Sequence, residues 1–429
     1  MKYFFAFCLT AASLAAQDSQ PPLTLAALFD SVAATHPLIN AAAARSRAAL
    51  GARVTAGSLG NPVLSYQVDH TGTASGPPMS SDDREFVTTV MLPLEALYQR
   101  GPRVRVADAV VRAVAADADV TRQRTALAAA DAYYRMALAQ IGVATSRDLS
   151  AWLDTLVAYN RVRVKEGAAA EADLLRSRLE RDRAAADVTM QEVELARARA
   201  TVAAFLGDPR RTGQIAVTVS DRPLTYDTAS VATSTVFALE RRPDVRAAQG
   251  RADASRAAVA SERSMIVRQL GATIGTKQMA GTTSLVAGVS LPLPLFDTNR
   301  GEIRRTSAER DAAMFELTAA ERAASADLVS AQDIARLLAA RTDLLTAGGP
   351  DGFLARADEA RRIALGAYRE GAVPLLTVLD AARAWGDARL TFYRTLYAQH
   401  QSVLMLLAAQ GADLFTNLPA PAEPRAPNR

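Results

Sequence analysis

Apolar residues recur at helical spacing over most of the chain, and the pattern predicts long helices. The segment Leu23–Ser58 is Ala-rich and periodic, with Thr24 as its N-cap. A stretch from about Arg103 to Val164 is free of proline and interrupted only by Gly142; a helix of that extent is roughly 90 Å long. The next, Ala169–Phe205, stops at Leu206-Gly207-Asp208-Pro209, glycine followed by proline being a strong terminator. Further helical blocks are expected near 232–268, 299–347 and 353–411. Alternating strand-like patterns are confined to Val63–His70, Glu85–Leu92, Gln269–Thr276 and Ser284–Leu291. They read as two hairpins, one around the Gly/Ser/Pro-rich Thr71–Asp83 and one around Met279-Ala280-Gly281. Their length, about ten residues per strand, suits a tilted membrane strand.

The order of these elements repeats. His36-Pro37-Leu38 and Arg242-Pro243-Asp244-Val245 each open a helix, and Leu92-Pro93-Leu94 and Leu291-Pro292-Leu293 each leave a hairpin. Gly101 and Gly301 precede the next long helix, and Lys165-Glu166-Gly167 and Arg369-Glu370-Gly371 break it. Four landmarks in one order at one offset, about 200 residues, argue for an internal duplication. The expected divisions are a signal peptide at 1–15, a first repeat at 16–215, a linker at 216–231, a second repeat at 232–411 and a tail at 412–429.

Four strands cannot close a barrel, and an open sheet in lipid leaves its edge N–H and C=O groups unpaired at several kcal/mol each. Copies of the chain must then share strands, and a homotrimer reaches twelve, an allowed even number. The expected fold class is mainly α with a small β part: a long α-helical barrel plus four strands per chain contributing to a trimeric transmembrane β-barrel. Ala and Val on the helix faces, such as Val106, Val110 and Ala113, suit close lateral packing. The alternative is a periplasmic coiled-coil structural or adaptor protein without a pore, but that has no need of two hairpins in matching places.

Composition adds limits. The chain is 49% hydrophobic and 22% charged with a formal net charge of +4, too little basic excess to point to nucleic acid. Met1-Lys2, the apolar run Tyr3–Leu9 and Ser13-Leu14-Ala15 fit a secretory leader. The single cysteine, Cys8, lies inside it, which leaves a mature chain without disulfide or thiol chemistry. His36, His70 and His400 are scattered, and no Walker, dinucleotide-binding, His-Glu-x-x-His or Gly-x-Ser-x-Gly pattern occurs. The expectation is no enzyme, no metal site and no cofactor. Tyr66, Phe86 and Phe296 are candidates for an interfacial aromatic girdle. Pro93, Pro292 and Pro294 are expected to turn the chain from strand to helix.

Leu23-Thr24-Leu25-Ala26-Ala27-Leu28 with His36-Pro37-Leu38 is similar to the opening helix of the TolC-like outer-membrane efflux family. The run Tyr368-Arg369-Glu370-Gly371-Ala372-Val373-Pro374-Leu375-Leu376-Thr377-Val378-Leu379-Asp380-Ala381 resembles that family's tip motif, and Leu206-Gly207-Asp208-Pro209 its helix stop. Val289–Gly301, through Leu291-Pro292-Leu293-Pro294-Leu295-Phe296, resembles the heavy-metal efflux branch.

The resemblance spans the mature chain. It implies a homotrimer in the outer membrane that meets outer-membrane lipid, a periplasmic adaptor and an inner-membrane efflux transporter, and that does no chemistry. It further implies a tip at which Gly167 and Gly371 turn two hairpins, Asp173 and Tyr368 gate the channel, and Asp380 contributes to a ring of carboxylates. Val373 and Thr377 depart from the family's gate arginine and second ring aspartate, which puts the gate's polar bonds in question.

Overall fold

The computed structural model describes residues 21–70, 84–213, 215–225, 235–348 and 351–419. The expected leader, the loop 71–83, residues 226–231 of the expected linker and the tail beyond 419 lie outside the described residues. In chain order the elements are α1 Leu25–Thr35, α2 Pro37–Gly57, β1 Val63–His70, β2 Arg84–Pro93, α3 Ala96–Lys165, α4 Glu171–Leu206, α5 Thr235–Arg241, α6 Pro243–Ser264, β3 Gly271–Met279, β4 Thr282–Ser290, α7 Arg300–Thr346, α8 Phe353–Arg369 and α9 Leu375–Ala409.

Three boundaries differ from the sequence pattern. The first helical block is two helices, parted at His36, because Pro37 pushes the preceding residue into extended backbone. The long helix α3 begins before Pro102 rather than after it. Tertiary bonds explain this: the Tyr98 hydroxyl and Gln99 amide donate to Val267 O (2.6 and 3.0 Å), and Arg100 donates to Gly57 O. The second hairpin is tighter than expected, with Ala280-Gly281 alone as its turn, both at positive φ as a type I′ turn requires.

Contacts divide the chain into two units, Met1–Leu28 with Ala132–Ser220, and Phe29–Asp131 with Asp221–Arg429. In the first, the C-terminal part of α3 packs on α4 around Met136, Leu156, Leu174, Leu195 and Val202. Arg147 pairs with Glu192 at 2.5 Å. The Gln140 side-chain amide clamps Val217, donating to its O (3.1 Å) and accepting from its N (2.8 Å), while Tyr133 donates to Thr218 O. Burial pushes the Tyr133 hydroxyl up to about 12.

The second unit holds the sheet, antiparallel in the order β1-β2-β3-β4. α2, the N-terminal part of α3, α6, α7 and the α8–α9 hairpin belong to the same unit. Gln399 of α9 clamps Leu224 as Gln140 clamps Val217, and His400 donates to Arg222 O at 2.8 Å. Arg242, 8% exposed, joins three helices. It bonds Asp244 (2.7 Å) and Asp327 (3.2 Å), and it donates to the carbonyls of Ala324 and Ala409. Leu414 is buried, and Phe415 lies against Phe29 with Arg122 over its ring; residues 412–418 are thus packed onto the helices.

Candidate functional site

Two parts of the chain carry functional geometry: the sheet and the helical turns. The sheet register sorts side chains by chemistry. Tyr66 pairs with Thr88, Thr88 with Thr276, and Thr276 with Leu285; these and their neighbours two residues away share one face. That face carries Leu64, Tyr66, Val68, Phe86, Val90, Ile274, Leu285 and Val289, with Leu64, Leu285 and Val289 each more than 70% exposed. Tyr66 and Phe86 stack at 6.4 Å. The opposite face is the more polar one, with Ser65, Gln67, Asp69, Glu85, Thr89, Lys277 and Ser284 set among Val63, Val87, Met91, Met279 and Val286, and with Lys277 paired to Glu85 at 2.5 Å. β1 and β4 are the sheet edges.

The expected turn prolines take different places. Pro93 is the last residue of β2, paired with Gly271, so it ends the ladder where its missing N–H costs least. Pro292 and Pro294 lie in the link between β4 and α7, and Leu295 N bonds Leu293 O across Pro294. Phe296 beside them is fully exposed.

The glycine breaks are turns of one design. Gly167 joins α3 to α4 at φ 71°, and Gly371 joins α8 to α9 at φ 77°. Gly167 N bonds Val164 O and Ala168 N bonds Arg163 O; Gly371 N bonds Tyr368 O and Ala372 N bonds Ala367 O. This is the left-handed helix cap that a Cβ strains. The side chains differ. Tyr368, 4% exposed, is buried at the end of α8, and Val164 holds its place before Gly167. Asp173 stands in the first turn of α4, its N bonded to Ala170 O, where Thr377 N bonds Pro374 O in α9. A carboxylate there complements the helix N-terminus. Asp380 is exposed on α9, 3.6 Å from Arg383.

Sequence reasoning missed Trp385, whose ring lies under Arg361 (3.9 Å) and near Arg389 (5.6 Å) in the α8–α9 hairpin. It also missed the buried Arg242 cluster, whose one visible signal was an arginine directly before a helix-opening proline. Among the described residues no group of three or more His, Cys, Asp or Glu could hold a metal ion, and no helix is long and apolar enough to cross a membrane.

The sequence profile of the outer membrane efflux protein family matches residues 236–412. A cobalt-zinc-cadmium resistance protein of Cupriavidus metallidurans, CzcC, is 24% identical over 391 residues, 90% of this chain and 89% of the relative. The fold is similar to that of the outer-membrane channel OprN, with a TM-score of 0.75, 21% identity and 90% of each chain covered. It is equally similar to VceC of Vibrio cholerae, with a TM-score of 0.75, 19% identity and coverage of 90% and 96%. Residues 236–412 thus match the outer membrane efflux protein family, and along nine tenths of its length the chain is similar in sequence to a metal-resistance protein and in fold to outer-membrane channels.

Proposed function

We propose that the chain is the outer-membrane channel of a tripartite efflux system, a passive duct made of three copies. The observation that carries this reading is the two-faced, open-edged sheet. Its apolar face fits lipid, its polar face fits a water-filled lumen, and edge strands in lipid must pair with another copy. Twelve strands close a barrel, and the helices continue the duct through the periplasm to an adaptor and an inner-membrane pump of the resistance-nodulation-division type. Kinship with a cobalt-zinc-cadmium resistance protein supports metal cations as cargo. The chain reads as a doubled unit. The matched turns at Gly167 and Gly371 support that reading, as do His36 and Arg242, both extended N-caps (ψ 127° and 128°) before a proline.

At the tip, Gly167 and Gly371 form the hairpin ends that meet the adaptor, Tyr368 and Asp173 hold the resting closure, and Asp380 repeats three times around the lumen to favour cations. Membrane fractionation and planar-bilayer recording test the duct. A trimer in the outer-membrane fraction with cation-preferring conductance is expected. A monomeric chain confined to the soluble periplasm would restore the coiled-coil alternative.

A further inference from the structure

The apolar face of the sheet does not stop where the ladder stops. β4 ends at Ser290, paired with Gly271. Yet Leu285, Val289, Leu291, Leu293 and Leu295 all fall at odd positions, and each is more than half exposed. Pro292 and Pro294 fill the places between and hold the residues before them in extended backbone, so the alternation outlives the ladder. It ends at the turn that Leu295 N closes on Leu293 O, and the fully exposed Phe296 follows. Six residues from Leu285 to the end of β4 are too few to cross the apolar band of a bilayer, whereas the eleven from Leu285 to Leu295, tilted as barrel strands are, span its roughly 25 Å.

Positive charge begins directly beyond this stripe. Asn299 donates to Glu262 O (2.7 Å) and to Glu262 Oε2 (2.9 Å). These bonds set the end of α6 against the start of α7 and bring Arg263 and Arg300 to one level. Arg304 follows about one turn along α7. All three arginines are exposed, and among the described residues none of them has an ion pair or a side-chain hydrogen bond. Their neighbours differ: Arg256 pairs with Asp253, Arg305 with Glu302 and Arg310 with Asp311. Nor does Arg300 serve its helix, since a cation in the first turn opposes the helix dipole. Beside these residues the α6–α7 groove opens into a cavity of about 540 Å³, walled by Arg256, Arg263 and Arg310 against the single acid Asp311, with Val259 and Met314 as apolar lining.

We propose that this groove binds the headgroup of an anionic phospholipid of the periplasmic leaflet. Arg263, Arg300 and Arg304 hold its phosphate, and its acyl chains lie along Leu291, Leu293, Leu295 and Phe296. This rests on the duct reading, which puts the sheet in the bilayer and the helices in the periplasm. The occupant is a lipid because the unpaired cations begin where the apolar stripe ends, and the stripe is continuous with the face that the duct reading gives to lipid. An amphiphile with a phosphate head matches both. The arginine fork takes two phosphate oxygens at once, and three cations without an acid of their own favour a net negative headgroup over a zwitterionic one.

The test uses the full chain, purified in mild detergent and reconstituted in vesicles. In native mass spectrometry the assembled protein is expected to retain phosphatidylglycerol in preference to phosphatidylcholine. R263Q/R300Q/R304Q is expected to lower the apparent affinity for phosphatidylglycerol about tenfold or more, and R300Q alone, a milder change to the fold, about threefold. R336Q, further along α7 and paired with Asp333 in the parent chain, is expected to change nothing. In vesicles of brominated phosphatidylglycerol, Phe296→Trp is expected to add fluorescence that the bromines quench. Equal retention of the two lipids, undiminished retention by the arginine variants, or displacement of the lipid by an equal concentration of inorganic phosphate overturns the site. An unquenched Phe296→Trp chain shows that a second copy covers the link, and overturns it too. In each of these cases a trimer in the membrane leaves the duct reading standing. A monomeric chain that vesicles do not take up overturns the duct reading itself.

Discussion

His400 is sealed into the middle of α9, and burial holds its imidazole down at about 4 although its bond to Arg222 O pulls the other way. An unfolded chain takes up that proton near pH 6.5. Between those values the unfolded state binds more protons, so the contribution of neutral His400 is full above about pH 6.5 and is lost as pH falls towards 4. The difference is roughly 3 kcal/mol. His400→Gln is expected to flatten the fall of melting temperature over that window, and an unchanged acid slope counts against the assignment. At the tip, Gly371→Ala places a Cβ at φ 77° and is expected to cost about 1 kcal/mol, read as faster amide exchange at Ala372. Tyr368→Ala is expected to raise resting conductance. Tyr368→Phe separates the two ways it could act: closure kept by packing survives that change, and closure kept by the hydroxyl does not.

Helices here are held by a few close crossings rather than by amphipathic stripes. At the α3–α6 crossing Gly250→Leu has no room, since Ala113 backbone lies within 3 Å of even the first carbon, and a loss of about 3 kcal/mol or more is expected in thermal unfolding. Arg242→Met removes the cation shared by Asp244 and Asp327, leaves Ala324 O and Ala409 O without that donor, and is expected to cost about 3 kcal/mol. These elements were visible in sequence to different degrees. The hairpins and glycine turns announced themselves through Gly, Pro and alternation. The start of α3 did not, because Gly101-Pro102 argues locally for a break and only contacts from Val267 and Gly57, distant in sequence, hold that turn helical.

For the whole molecule, the sheet's two faces predict opposite responses to charge. Leu285→Arg on the apolar face is expected to cost about 2–4 kcal/mol in the bilayer and to deplete the protein from the outer membrane. Ser284→Arg, one residue along and on the polar face, is expected to leave its amount unchanged and shift conductance away from cations. Equal losses from both would remove the lipid and lumen assignment. The sequence by itself determined the helical and strand segments, the matched landmarks and the turn chemistry, because periodicity and φ restrictions act within a few residues. Only the tertiary structure decided which strand lies beside which, which sheet face is apolar, that Tyr368 is buried while Asp380 is exposed, and which helices cross. Those depend on register and on pairs such as Arg251–Asp117 and Gly250–Ala113, whose members lie more than a hundred residues apart and whose contact no local pattern encodes.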